Sequence, residues 1–262
     1  MLECLASNRT RLSEKLMTTS GAQYDQIGVK YDEYARTATL KRAECYSILK
    51  LVGMLDGKRV MDLACGFGFY SRVLKQQGAA QVVGVDISPE MIRLACQQEQ
   101  AQPLDIDYQI WDAADLPYLD TFDLITAIYL FNYAASKAEM LAMFQNIYNN
   151  LARNGRFVAY LPNPAFTLSK PNCTPYGVTV LSEHPETDRY ACEAEFLTDP
   201  PTAFNYYRWN QSTYEWAIRE SGFRDFAWYP TEVSPDDLRR YGQAYWRDFY
   251  DNCLIIGLVC QK

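Results

Sequence analysis

The chain has 262 residues, 48% of them apolar, with a formal net charge of −7 and a single histidine. Its length predicts one large domain carrying an insertion, and its acidic balance, without any dense Lys/Arg stripe, argues against a nucleic-acid partner because phosphate backbones demand positive charge. No apolar run approaches the roughly 18 residues of a membrane span and the N-terminal stretch has no signal-peptide core, so a soluble, cytoplasmic protein with no membrane partner is expected. The eight cysteines lack a CxxC pair and read as reduced thiols; no metal site is expected.

Residues 1–20 show no sustained periodicity and are expected to form a flexible extension, with Met17 an alternative start. Residues 21–262 then make a single domain. "AQYDQIGVKYDEYAR" puts Tyr24, Ile27, Tyr31 and Tyr34 at helical spacing, and Ala43, Tyr46, Ile48, Leu49 and Val52 follow on a second amphipathic stretch. Next, strand and helix alternate: "KRVMDLAC" and "GFYSRVLKQQGA", "QVVGVDI" and "SPEMIRLACQQEQ", "IDYQIWD", "TFDLITAIYL" and "SKAEMLAMFQNIYNNL", and "GRFVAYLP". This order predicts a mostly parallel sheet with helices on both faces. Ser88 before Pro89 suits a helix start, Ser136 with Glu139 forms a capping-box pattern, and Asn154-Gly155 is read as closing a helix.

Between residues 163 and 210 the alternation stops, and three strand-like runs, "VTVLS", "RYACEAEFL" and "AFNYYRW", are split by "EHPETD" and "TDPPT". They predict an inserted antiparallel cover over a substrate. A helix "STYEWAIRESGF", a strand near "FAWYP", one polar helical piece "SPDDLRRYGQAYWRDFY" and a closing strand "NCLIIGLVCQ" complete the chain.

The chemistry concentrates in "VMDLACGFGFYS". Glycines after a strand let backbone approach a ligand where a helix begins. Ser71 stands where a dinucleotide fingerprint needs its third glycine, and Asp62 at the strand end would repel a pyrophosphate but not a sulfonium. An NAD oxidoreductase is therefore disfavoured. In register with this turn, "VVGVDIS" ends in Asp86 and "WDAADLP" carries Asp112 and Ala113.

On these residues the chain resembles the class I S-adenosylmethionine-dependent methyltransferases, with Ala64 in place of the more usual first glycine of Asp62, Ala64, Gly66 and Gly68. The resemblance implies a Rossmann-like fold of seven strands, the last antiparallel, with an N-terminal helical lid and S-adenosylmethionine as cofactor. It further implies that Asp86 takes the ribose hydroxyls, that Asp112 and Ala113 meet the adenine, and that Cys65, Ile87, Met91 and Ile128 complete the nucleoside site. Tyr31 and Tyr24 of the entry helix are expected near the methionine end, with Arg36 on its carboxylate. Packing of the tyrosines against the sheet is an equal expectation.

Where many relatives place an acceptor-site histidine, "IYLFNYA" has Asn132 between Tyr129 and Tyr133. Asparagine orients a ring N–H or carbonyl but takes no proton at neutral pH, which favours a nitrogen heterocycle. These three are the candidate catalytic residues, whereas His184 in "SEHPETD" is read as a solvated turn. More narrowly, "AQYD", "DLACGFGFY", "GAAQVVGVDIS" and "LFNYA" look like azapteridine N-methyltransferases of the toxoflavin type, implying that Tyr129 and Asn132 with Tyr176, Phe196, Tyr207 and Trp209 surround a flat heterocycle. The alternatives are O-methylation of a phenol or carboxylate, and a non-catalytic cofactor-binding regulatory protein.

Overall fold

The computed structural model describes residues 34–262. Tyr24, Tyr31, the part of the expected lid up to residue 33 and the extension 1–20 lie outside the described residues.

Helix α1 (Thr39–Val52) leads in after a helical turn at 34–37 and packs on the far strands of the main sheet. β1 (Arg59–Leu63), α2 (Phe69–Gln76), β2 (Gln81–Asp86), α3 (Pro89–Ala101), β3 (Ile106–Ile110), β4 (Phe122–Ile128), α4 (Lys137–Asn150) and β5 (Leu151–Pro162) follow the predicted alternation. After a second sheet come α5 (Gln211–Glu220), β9 (Asp225–Pro230), α6 (Pro235–Tyr241), α7 (Arg247–Asp251) and β10 (Ile255–Gln261). The main sheet has seven strands in the order β3-β2-β1-β4-β5-β10-β9, and β10 runs antiparallel to both its neighbours. Successive strand residues point to opposite faces: Val60, Val82 and Leu124 enter one apolar layer, Met61, Val83 and Ile125 the other. Chain order reverses across β1, with β2 on one side and β4 on the other, and such a switch opens a crevice at the carboxyl ends of the strands.

Between β5 and α5, β6 (Val178–Pro185), β7 (Arg189–Phe196) and β8 (Thr202–Trp209) form an antiparallel sheet of their own. β6 runs on through Glu183, His184 and Pro185, which pair with Cys192, Ala191 and Tyr190. His184 is thus in a strand and not in a turn. The reason is the tightness of the hairpin: the Glu186 N–H donates to the Arg189 carbonyl at 2.7 Å and the two side chains form an ion pair, so residues 186–188 suffice to reverse the chain. Two other boundaries also differ from the sequence reading. Asn154, at φ +66, sits with Gly155 in an irregular start to β5 instead of closing α4. Gly242, at φ +80, splits the expected single helical piece into α6 and α7.

Tyr176 belongs to this second helical region and not to a substrate wall. Its ring stacks on Trp246 at 5.5 Å, and its hydroxyl donates to the Tyr245 carbonyl and accepts from the Phe249 N–H, each at 2.8 Å. A tyrosine with both ring and hydroxyl satisfied in this way fastens the loop before β6 onto α6 and α7. Tyr176→Ala is expected to cost about 3–5 kcal/mol in chemical denaturation, with affinity for S-adenosylhomocysteine unchanged in the folded fraction by calorimetry.

Candidate functional site

A cavity of about 690 Å³ opens at the carboxyl edge of β1, β2 and β4 and extends to the second sheet. Its floor is the turn between β1 and α2, where Ala64, Gly66 and Gly68 all take left-handed conformations with φ of 60, 56 and 87°. Glycine adopts this readily, and a residue as small as alanine tolerates it at modest cost. The turn is closed by backbone bonds, Cys65 N–H to Val85 and Gly68 N–H to Cys65, both 3.0 Å. Asp86 at the tip of β2 grips it from the side. One carboxylate oxygen accepts the Gly66 N–H at 2.8 Å and the other the Ser88 N–H at 2.9 Å, which aims the group along the cavity wall. Ser88 in turn caps α3, accepting the Met91 N–H.

Ala64, Cys65, Gly66, Asp86, Ile87, Met91, Asp112, Ala113 and Ile128 are all brought to this one cavity. Asp112 caps the short turn Ala113–Asp115 through its bond from the Ala114 N–H at 2.9 Å, and Asn146 of α4 pins that turn by donating to the Ala113 and Ala114 carbonyls. Asp62 and Gly68 are not in the wall. Asp62 is buried beneath the turn, where it accepts from Ser71 at 2.7 Å and Thr126 at 2.8 Å, bracing α2 and β4 against β1. Gly68 lies against Tyr108, whose hydroxyl would sit 2.3 Å from an added Cβ; here the glycine makes room for a neighbour. Arg36 is exposed and also outside the wall.

On the acceptor side, the short turn Phe131–Tyr133 is anchored by Phe131, stacked on Phe144 at 4.3 Å, and this lifts Asn132 and Tyr133 into the cavity. Asn132 is buried and its carbonyl oxygen has no hydrogen-bond partner. Tyr129, held at φ +61, directs its hydroxyl to Glu44. Glu44 also accepts from Lys41 and Tyr70, each at 2.5 Å, so α1, α2 and the tip of β4 meet on one fully buried carboxylate. Sequence reasoning missed Lys41 and Glu44 because charges three apart on a helix look like a solvated face. The available signal was the recurrence of polar residues at 41, 44 and 47 among the apolar positions Leu40, Ala43 and Ile48.

Of the expected cover residues, Tyr207 lines the cavity, whereas Phe196 packs between Tyr34 and Phe204, and Trp209 is buried beside Arg189. The wall contributed by the second sheet consists instead of two cross-strand rungs, Ser182/Glu193/Asn205 and His184/Ala191/Tyr207, each sharing one face, with Tyr206 and Cys192 adjoining. Arg189 ties this sheet to the acceptor turn. Its guanidinium lies 3.4 Å from the centre of the Tyr207 ring and donates to the Ala134 and Ala135 carbonyls at 3.1 and 3.0 Å.

Burial pushes the Asp62 carboxyl up to about 6, against its bonds from Ser71 and Thr126, which favour the ionised form. A folded-state value above the unfolded one makes stability fall as pH rises through the window between about 4 and 6. Relative to the parent, Asp62→Asn is therefore expected to gain on the order of 2–3 kcal/mol across that window, read from urea denaturation at a series of pH values; a pH-independent difference is the contrary result.

Comparison with known proteins shows what these features resemble. Residues 60–155 match a family model described as a methyltransferase domain. The chain is 35% identical over 103 residues to demethylmenaquinone methyltransferase of Thermus thermophilus, covering 38% of this chain and 46% of that protein. It is 36% identical over 88 residues to ubiquinone biosynthesis O-methyltransferase of Coxiella burnetii, covering 33% and 37%. It spans about half the length of the first curated relatives it matches. A crystal structure of an S-adenosylmethionine-dependent methyltransferase from Clostridium acetobutylicum superposes with a TM-score of 0.62 at 18% identity, over 91% of this chain and 98% of that one. Residues 60–155 thus resemble a methyltransferase domain, and the chain shares its Rossmann-like fold with solved S-adenosylmethionine-dependent methyltransferases.

Proposed function

We propose that this chain methylates a small, flat heteroaromatic molecule at nitrogen, with S-adenosylmethionine as the methyl donor and an azapteridine of the toxoflavin type as the narrower expectation. The observation that carries this reading is the convergence of the Asp86-gripped turn and the unpartnered carbonyl of Asn132 on one cavity.

The residues fit that cofactor. Asp86 is oriented by two backbone donors and accepts hydrogen bonds as a ribose diol would offer them, Asp112 and Ala113 stand at the next strand tip for the adenine, and the turn around Gly66 admits close approach. When bound, the cofactor supplies an electrophilic methyl group on a cationic sulfur. Asp86 and Asp112 both bring negative charge to the wall that faces this cation, and the buried Asp62 adds to it from below.

The chain's remaining contribution is alignment and exclusion of water. Tyr129 and Tyr133 wall the acceptor side, and Asn132 holds an N–H so that the nitrogen lone pair faces the donor. A nitrogen acceptor with an unshared pair needs no strong base, which suits the neutral amide of Asn132. One observation favours O-methylation of a phenol as a second reading: His184 stands in the cavity wall, where it is a candidate base. The name of one relative, ubiquinone biosynthesis O-methyltransferase, points the same way.

Asp86→Ala is expected to weaken S-adenosylhomocysteine about a hundredfold in calorimetry, for the loss of charge-assisted hydrogen bonds. An unchanged dissociation constant refutes the ribose assignment. The two acceptor readings separate when the chain is offered matched nitrogen-heterocycle and phenol panels with methyl-labelled cofactor and the label is located by NMR.

A further inference from the structure

The groups of fixed hydrogen-bond character at the far end of the cavity, beyond the cofactor turn, are acceptors, while Ser182, His184, Asn205 and Tyr207 beside them can donate or accept. Asn132 presents a buried carbonyl oxygen without a partner, and the hydroxyl of Tyr206, also buried, has the Cys192 thiol of the neighbouring strand beside it. Glu139 at the start of α4 and Glu193 on β7 bring carboxylates to the same wall. Among the described residues that line the cavity, Lys41 is the one lysine or arginine, and its ammonium is paired directly with the buried Glu44. Native proteins seldom leave buried polar atoms unsatisfied, so the bare Asn132 oxygen in the cavity wall points to a ligand that completes it.

From this we infer that the far end is a subsite for a hydrogen-bond-donating nitrogen group, an amino or amidine-like nitrogen on a flat ring, neutral or cationic, and that it rejects anionic acceptors. The inference rests on the methyltransferase reading above and sharpens it, because it removes carboxylates from the acceptors. A donor N–H satisfies Asn132; a carboxylate placed there meets an acceptor oxygen and the repulsion of Glu139 and Glu193. The phenol of Tyr206 donates or accepts and so follows the ligand. Electrostatic complementarity of this kind sets selectivity more than absolute affinity.

The test is calorimetry on the full chain saturated with S-adenosylhomocysteine, using two flat probes that share one ring system: 2-aminobenzimidazole at a pH where its ring is protonated, and benzimidazole-2-carboxylate. The amine is expected to bind about tenfold more tightly or better. Glu193→Gln, on an exposed strand position, is expected to shrink that preference, and Asn132→Leu to weaken the amine about tenfold with S-adenosylhomocysteine affinity retained. Equal or tighter binding of the carboxylate, a preference untouched by Glu193→Gln, or binding of neither probe to a chain that does bind S-adenosylhomocysteine overturns the subsite. Failure to bind S-adenosylhomocysteine at all overturns the cofactor reading itself, and the two failures are distinct because the cofactor product is titrated first.

Discussion

The site depends on the grip of one carboxylate on a turn that glycine makes possible. Asp86 accepts the Gly66 N–H and the Ser88 N–H with separate oxygens, so it fixes the floor of the crevice and the start of α3 together. Without that clamp, a turn with left-handed residues at three alternate positions would be held only through two backbone bonds. Beneath it, Asp62 serves a different end. The same residue type at two adjacent strand tips does two jobs, one facing the cavity and one bracing what lies below, and burial separates them.

This division bears on how far the sequence could be read. Strand and helix alternation, the acidic strand tips and the caps at Ser88 and Ser136 were legible because each rests on local spacing, and the structure has both serines accepting the N–H three residues on. Asn132 and Tyr133 were legible as neighbours of a strand end. The acceptor wall was not. Tyr176, Phe196 and Trp209 were chosen for their aromatic character, yet the first two are consumed by packing against rings far away in the chain, and Trp209 is buried against Tyr207 and Arg189. Large aromatic side chains serve the core more often than a ligand, and only tertiary partners tell the two apart.

Gly68 teaches the complementary lesson. Its spacing from Gly66 made it look like part of a ligand cradle, but the demand for a missing side chain comes from Tyr108 on β3, which also lies across Gly84. Lys41 and Glu44 err in the opposite direction: they pass for surface charges, and a fully buried carboxylate joining three elements shows in the sequence only as polar residues recurring among apolar helix positions. Such a pair is costly to desolvate, so its persistence under the cavity indicates that the entry helix is placed by polar contacts as well as by its apolar stripe.

Arg189 has a broader implication for how this architecture diversifies. By lying on Tyr207 and holding the Ala134 and Ala135 carbonyls, it hangs the three-stranded sheet from the turn after β4, while the half proposed to hold the nucleoside is built mainly from the tips of the parallel strands. Hairpin residues can then be exchanged under selection without disturbing the methyl-donor half, in the way a tool head is swapped on a fixed handle.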